Sequence, residues 1–298
     1  MTKPSIIITG ANGFIGEHLV HYFFENGWRV KALVRKVPLE IVKDVEYIEY
    51  DLEKTPDEAI FDSVDYLVHC AYLKFDQNKN ADKINIDGTE KLVELCRKKN
   101  IKPLFLSSFS AHKDAISHYG KTKLDLEKLF DLSKDVILKP GFVVGKRGLS
   151  GELINRIKTS KYFPLIGGGV QPIQTIHIDD LCLIIELAFE RNIVGLFYVA
   201  EPDAISMKVF YEEIAKQLNK KIRFIPFSLP LLYFVCRVFE AIGMKLPVSS
   251  ENVLGLKHLT KFDTSKDLKK VDVTLKNYRE SLQAVLDETP VKLKDERI

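Results

Sequence analysis

The sequence predicts an α/β fold: a doubly wound parallel sheet followed by a smaller, mostly helical C-terminal lobe folded against it. Three observations carry this. An apolar run, Ser5-Ile6-Ile7-Ile8, leads directly into glycines at positions 10, 13 and 16 and then into an amphipathic helix pattern. Short apolar runs and helical patterns alternate from there to about residue 200, the rhythm of parallel strands joined by helical crossovers. Past Gly145 that rhythm breaks, and from about residue 201 the chain reads as mostly helical, with one strand signal at 222–225.

The first unit is the most specific. Residues 9–16 read TGANGFIG, a strand end, a glycine turn and a helix start in succession. The missing Cβ at Gly10 and Gly13 permits a tight turn and lets backbone N–H groups approach a pyrophosphate, while Gly16 lets the helix pack closely on the strand. Phe14, Ile15, Leu19, Val20 and Phe23 form that helix's apolar face, and a second strand, 30–34, follows Gly27. Further strands are expected at 46–50, 66–71, 104–106, 136–138 and 197–200, with helices such as 85–98 between them. Ligands on parallel sheets collect at the carboxyl ends of the strands, which aligns Gly10, Arg35, Asp51, Ala71 and Ser108 along one edge. Residues 146–172 hold a short helix at 152–158, then Phe163-Pro164-Leu165-Ile166 and Gly167-Gly168-Gly169, read as a flexible turn near substrate. The expected organisation is a dinucleotide-binding core at 1–145, completed by 173–200, with 146–172 and 201–298 forming the substrate lobe.

Composition narrows the partners. With 46% hydrophobic and 29% charged residues the chain is that of a folded domain with a sizeable core. A net charge of +3, with basic and acidic residues interleaved as in 121–128, gives no nucleic-acid footprint. Cys70, Cys96, Cys182 and Cys236 are far apart and form no CxxC pair, so reduced thiols are expected, neither a disulfide framework nor a metal site. No basic-then-apolar leader precedes the first strand, and a cytoplasmic location is expected. The most apolar stretch, 222–244, is interrupted by Arg223, Pro226, Pro230, Arg237 and Glu240 and is too short to span a bilayer. It reads as a buried helix of the lobe, with peripheral membrane contact as the alternative.

Chemistry concentrates in a second constellation. Ser107-Ser108 ends a strand, and Tyr119 and Lys123 open a helix at i and i+4, on one face. A phenol titrates near 10, and lowering that by ~3 units corresponds to ~4 kcal/mol of differential stabilisation by a nearby cation. A tyrosine, a lysine and a strand-end serine are the parts needed to move a proton on a hydroxyl or carbonyl while a cofactor exchanges hydride. The second strand ends Leu33-Val34-Arg35-Lys36, without the acid that accepts from a ribose 2′-OH. Arg35, with Lys36, suits a 2′-phosphate, so NADP is expected, with NAD as the alternative. His177-Ile178-Asp179-Asp180 reads as a strand end with Asp179 or Asp180 capping a helix from Leu181. His112 and His118 are expected at the surface.

Taken together these residues resemble the extended branch of the short-chain dehydrogenase/reductase superfamily, the NAD(P)-dependent epimerase/dehydratase-like proteins. The resemblance rests on TGANGFIG, Tyr50-Asp51-Leu52, His69-Cys70-Ala71-Tyr72, Asn85-Ile86-Asp87-Gly88-Thr89, Ser107-Ser108, Tyr119 to Lys123, Lys139-Pro140-Gly141 through Gly145, and Ile176 to Asp180. It implies a Rossmann sheet with Gly10, Asn12, Gly13, Phe14, Ile15 and Gly16 around the pyrophosphate. It also implies Asp51 and Leu52 beside adenine, Cys70, Ala71 and Tyr72 near ribose and phosphates, and Pro140 and Gly141 near the nicotinamide carboxamide. By the same resemblance Tyr119 is the catalytic acid/base and Ser108 orients substrate. Lys123 binds the nicotinamide ribose and lowers the Tyr119 pKa, and Asn85 is structural. The implied activity is an oxidoreductase, epimerase or dehydratase acting on a hydroxyl or ketone of a small molecule, foremost a nucleotide sugar. The alternatives are a carbonyl reductase or hydroxysteroid-type dehydrogenase for an apolar substrate, and a cofactor-binding subunit without turnover. A homodimer is implied by analogy alone. One departure is local: ten residues separate Ser108 from Tyr119, where many nucleotide-sugar members have a dozen or more in addition. A diphosphate would need Arg147, Arg156, Lys158 or Lys161, whereas an apolar substrate would be lined by Phe163, Leu165 and residues from 225–236.

Overall fold

The structure is a computed structural model and describes residues 3–75, 78–244, 249–257 and 259–287. Its centre is a seven-stranded, wholly parallel sheet built from β1 (Ser5–Thr9), β2 (Arg29–Val34), β3 (Glu46–Glu49), β4 (Tyr66–His69), β5 (Lys102–Leu106), β6 (Val136–Pro140) and the edge strand Gly195–Val199. Across the sheet the order is Gly195–Val199, β6, β5, β4, β1, β2, β3. The order therefore reverses at β1, where β2 pairs on one side and β4 on the other, and a crevice opens at their carboxyl ends.

Every residue of β1 is buried, because both faces of the sheet are covered and the run need not alternate. Ile6 and Ile8 face helices α1 (Phe14–Glu25) and α5 (Ile178–Glu190) through Leu19, Val20, Phe23, Leu181 and Ile185. Ile7 faces α2 (Ala81–Lys99) through Leu92, Leu95 and Cys96. α3 (His118–Glu127) covers β5 and β6 through Leu126, which packs with Phe105 and Ile137.

A second core lies between α4 (Gly148–Thr159), α6 (Met207–Gln217), α10 (Tyr278–Asp287) and a ribbon of two parallel strands, Tyr162–Ile166 and Arg223–Phe227. Two further helices, α7 (Leu229–Ala241) and α8 (Ser250–Lys257), pack on each other, and α8 reaches the N-terminus of α3. The short helix Ser265–Val271 falls within the expected lobe yet buries Leu268 and Val271 against the sheet core.

Three local expectations are corrected. α7 is not buried: of its residues only Cys236 is, while Leu231 and Phe234 are 59% and 65% exposed, because no layer covers the side away from α8. α5 begins at Ile178 and is capped by His177, whose Nδ1 accepts from the Asp179 N–H at 3.2 Å. Neither aspartate is free to cap, since Asp179 bonds His18 and Asp180 bonds the Lys276 ammonium, each at 2.6 Å. The triple glycine is a packed turn, not a loose one: a Cβ at Gly167, where φ is +58°, would lie 2.7 Å from Leu229 Cδ1.

Candidate active site

The glycine turn closes on itself through a hydrogen bond from Gly13 N–H to Gly10 O at 2.9 Å. Gly10 has φ +67°, and a Cβ there would meet the Ala71 backbone at 2.8 Å, so the ends of β1 and β4 touch only because residue 10 is glycine. Gly13 caps α1 with no side chain bonded across the helix start, leaving the first-turn N–H groups aimed at the crevice. The Asn12 amide donates to Lys36 O at 2.7 Å and ties the turn to the end of β2. Arg35 and Lys36 are exposed there, and the Arg35 guanidinium has no bonded partner among the described residues. Phe14 is wedged against Gly145 and Gly148, where any Cβ would come within 2.7 Å of its ring.

The floor of the crevice is a buried hydrogen-bond chain. Thr9 Oγ1 meets His69 Nδ1 at 2.7 Å, and His69 Nε2 meets Thr89 Oγ1 at 2.9 Å. Burial holds His69 neutral, its pKa pushed down to about 3, with the Lys123 charge acting in the same direction. Such a histidine withholds a proton that the unfolded chain takes up, so the stability it contributes is complete above ~6.5 and is lost as pH falls toward 3. At ~1.4 kcal/mol per unit, about 2 kcal/mol should be gone by about pH 5. Denaturant melts across that range should show this slope in the wild type, and a flatter one in His69→Gln.

Around the crevice, Asp51 accepts from Glu53 N–H within its own turn at 3.1 Å, and Leu52 is buried with its carbonyl against Gly88. Cys70 is a half-buried free thiol whose pKa burial pushes up to about 12. Asn85 exchanges two 2.8 Å hydrogen bonds with the Leu73 backbone and fixes the segment that carries Tyr72. Pro140 O accepts from the Phe109 N–H at 3.2 Å, while Gly141 N–H donates to Val199 O at 3.1 Å.

Ser108, Tyr119 and Lys123 come from two elements. Ser108 follows β5, and its Oγ accepts from the Ser110 N–H at 3.1 Å. α3 is capped by Ser117, whose Oγ accepts from Gly120 N–H at 3.2 Å, and Gly120 fits flush against Ser110 O. The short loop thus brings Tyr119 near Ser108, close enough for the serine hydroxyl to act on the phenol's pKa. The Tyr119 pKa is raised, by burial above all, with the nearby Ser108 hydroxyl opposing, although the residue as a whole is 39% exposed. Tyr72 meets Tyr119 edge-on at 5.1 Å.

Lys123 follows Tyr119 by one turn of α3, and its ammonium turns inward. Its ammonium, 3% exposed, donates to Leu106 O at 2.8 Å and lies over the rings of Phe105 and Tyr72 at 4.5 and 5.1 Å. Burial lowers its pKa to about 8. The phenol is not lowered in this arrangement, because a buried ammonium needs an acceptor and the strand-end carbonyl supplies it.

Sequence reasoning missed the group behind this pair. Glu127, one turn beyond Lys123, bonds Ser107 Oγ and forms an ion pair with Lys139 at 2.8 Å, and Lys139 also donates to Ala111 O at 2.6 Å. Both charges are at most 8% exposed. The signal was a lysine inside the strand Val-Ile-Leu-Lys-Pro, since a charge in a buried strand needs a partner.

Between the loop that follows Ser108 and α8 lies a small crevice walled by Phe109, Ile116, Leu254 and Leu259, with Ser110, Ser117, Thr260 and His112 among them. No lysine, arginine or acid lines it among the described residues. His112 is half-buried there, and His118 is exposed and stacked on Phe75 at 4.4 Å. Phe109 continues into an aromatic cluster with Tyr198 and Phe262. The cations considered for a diphosphate point elsewhere: Arg147 is paired with Glu17 on α1, and Arg156 and Lys158 are exposed on α4. Lys161 is exposed over the Tyr162 ring at 5.9 Å. Phe163 and Leu165 belong to the second core and do not line the crevice.

Comparison with known proteins agrees with this architecture. The model of the NAD dependent epimerase/dehydratase family matches residues 6–197. A ceramide reductase of Caulobacter vibrioides is 31% identical over 206 residues, covering 66% of this chain and 64% of that protein's length. A decarboxylating sterol-4-alpha-carboxylate 3-dehydrogenase of Dictyostelium discoideum is 21% identical, covering 84% and 89%. Among solved structures, the Bordetella bronchiseptica enzyme WbmG in complex with NAD and UDP superposes with a TM-score of 0.75 at 16% identity, covering 96% and 94%, a likeness of fold.

Proposed function

The chain belongs to the NAD dependent epimerase/dehydratase family, and from that premise we propose that it is an NADP-preferring oxidoreductase for a hydroxyl or ketone on an apolar, lipid-class substrate. One observation carries the substrate class: the crevice that begins at Phe109, the residue after Ser108, has aliphatic and aromatic walls and, among the described residues, no lysine or arginine for a diphosphate. The ceramide and sterol enzymes among its relatives support the same reading. A nucleotide sugar is the second reading, favoured by the UDP-containing structural neighbour.

The turn fits a dinucleotide. Backbone approach at Gly10, Gly13 and the first turn of α1 would hold the pyrophosphate. Asp51 and Leu52 would flank adenine, and Cys70, Ala71, Tyr72 and Lys123 the riboses. Pro140 and Gly141 would lie beside the carboxamide. Bound there, the nicotinamide supplies or accepts hydride. Ser108 would hold the substrate oxygen by a hydrogen bond. Tyr119, protonated at neutral pH as a phenol is and held so more firmly by burial, would give its proton to that oxygen in reduction and recover it in oxidation. The Phe109 wall and α8 would exclude water from the reacting carbon.

Arg35 carries the cofactor preference. Its free, exposed guanidinium at the end of β2 can bind a 2′-phosphate in bidentate fashion. Titration of both cofactors should show tighter NADPH binding in the wild type and a smaller or reversed preference in Arg35→Asp. Equal wild-type affinities would remove this role from Arg35.

The substrate reading is tested by NADPH oxidation against a panel of long-chain ketones in micelles and the corresponding oxidised nucleotide sugars. The expected result is kcat/KM at least ~10²-fold higher for the apolar set, about the discrimination from leaving a diphosphate without its cations. A reversed ranking would replace this reading with the second.

A further inference from the structure

The lobe turns to solvent an apolar surface that the candidate site does not use. Along α7, Leu231, Phe234 and Val238 recur at intervals of three and four and are 59%, 65% and 43% exposed, and Ile242 at the C-cap extends the row. Opposite this stripe are Cys236, which is buried, and Glu240, which accepts from the Ser250 N–H and hydroxyl of α8, both at 2.7 Å. The strand leading into α7 continues the surface. Alternation turns Arg223, Ile225 and Phe227 outward beside the exposed Tyr162 and Pro164 of its partner strand, while Phe224 packs on the second core. Single exposed leucines are ordinary; a row of this extent rimmed by charge marks a contact.

The rim identifies the occupant. Residues 220–257 hold six basic side chains and two acidic ones, in a chain whose net charge is only +3. Both acids accept hydrogen bonds within the protein, Glu240 from Ser250 and Glu251 from the His118 N–H at 2.7 Å. Arg223 and Arg237 are exposed at the margins of the apolar row, without a bonded partner among the described residues. A second copy docked by symmetry would set this positive rim against itself, whereas an anionic lipid surface complements it. α7, with 13 residues, is far shorter than the ~20 needed to cross a bilayer, so it would lie along the interface.

We propose that α7 and the outer face of the strand ribbon seat the lobe on an anionic bilayer surface, with the stripe at the acyl boundary and Arg223 and Arg237 at lipid phosphates. α8, on which α7 rests, supplies Leu254 to the crevice, so the docked helix and the crevice share a supporting element. Delivery of substrate from the bilayer rests on the substrate reading above; docking itself does not, and it is measured without substrate.

The experiment is flotation of the purified full-length protein with vesicles of phosphatidylcholine alone or of an equal mixture with phosphatidylglycerol. Circular dichroism and NADPH affinity serve as checks of folding. Wild type should float with the mixed vesicles. Phe234→Glu should lower partition by about tenfold or more, as expected for losing one inserted aromatic side chain. Arg237→Glu and added salt should weaken binding to the anionic vesicles only. Absence of flotation, or unchanged flotation of Phe234→Glu, would overturn the proposal. So would a dimer in sedimentation equilibrium that Phe234→Glu dissociates while no vesicle binding is seen, since a second copy would then cover the stripe.

Discussion

Replacing Tyr119 with phenylalanine is expected to cut turnover by ~10²-fold or more while leaving cofactor affinity nearly unchanged. The ring would keep its edge contact with Tyr72 and its place on α3, so only the phenolic oxygen near Ser108 would be lost. Protonation at neutral pH suits this phenol to act as the acid in reduction. Lys123→Ala should behave differently, weakening cofactor binding as well as turnover, because its ammonium also anchors at the Leu106 carbonyl and packs under Tyr72. Steady-state rates beside cofactor titrations separate the two patterns. An active Tyr119→Phe enzyme would make this tyrosine a surface residue of α3.

The largest stability effect is expected at Lys139→Met. It leaves Glu127 buried without its ion-pair partner, a change that costs ~3–5 kcal/mol when one member of such a pair is removed. Glu127, Ser107, Lys139 and Ala111 join the ends of β5 and β6 and the loop before α3, the segments that carry Ser108, Pro140 and Tyr119. Denaturant unfolding should therefore show a large loss. The double variant Glu127→Leu with Lys139→Met should recover much of it, since no buried charge remains unpaired. A double variant as unstable as the sum of its singles would mean that packing, and not the pair, sets the cost.

The fold was legible because its strands are buried on both faces. Ser5–Thr9 and Val136–Pro140 read as compact apolar runs, and the glycines of 10–16 mark where a backbone turn is forced. The strand-end positions followed from the same logic, since parallel strands deliver their carboxyl ends to one edge. What stayed hidden depends on tertiary partners. Asp179 and Asp180 have better capping chemistry than His177, but His18 and Lys276 draw both away. The spacing of Tyr119 and Lys123 gives a shared helix face but not a rotamer, and Leu106 O decides where the ammonium goes. The apolarity of 222–244 signals a need for contact without saying what supplies it, so a helix expected in the core faces outward.

The central claim is that Ser108 and Tyr119 reduce an apolar ketone with hydride from a nicotinamide cofactor. Its most direct test is mass spectrometry of product formed from a long-chain ketone and NADPH deuterated at C4 on the transferred face. The account predicts one deuterium at the new carbinol carbon with wild type, and product formation reduced by ~10²-fold or more with Tyr119→Phe. Product without deuterium from either face-labelled cofactor, or label appearing only when a nucleotide sugar is supplied, would contradict it.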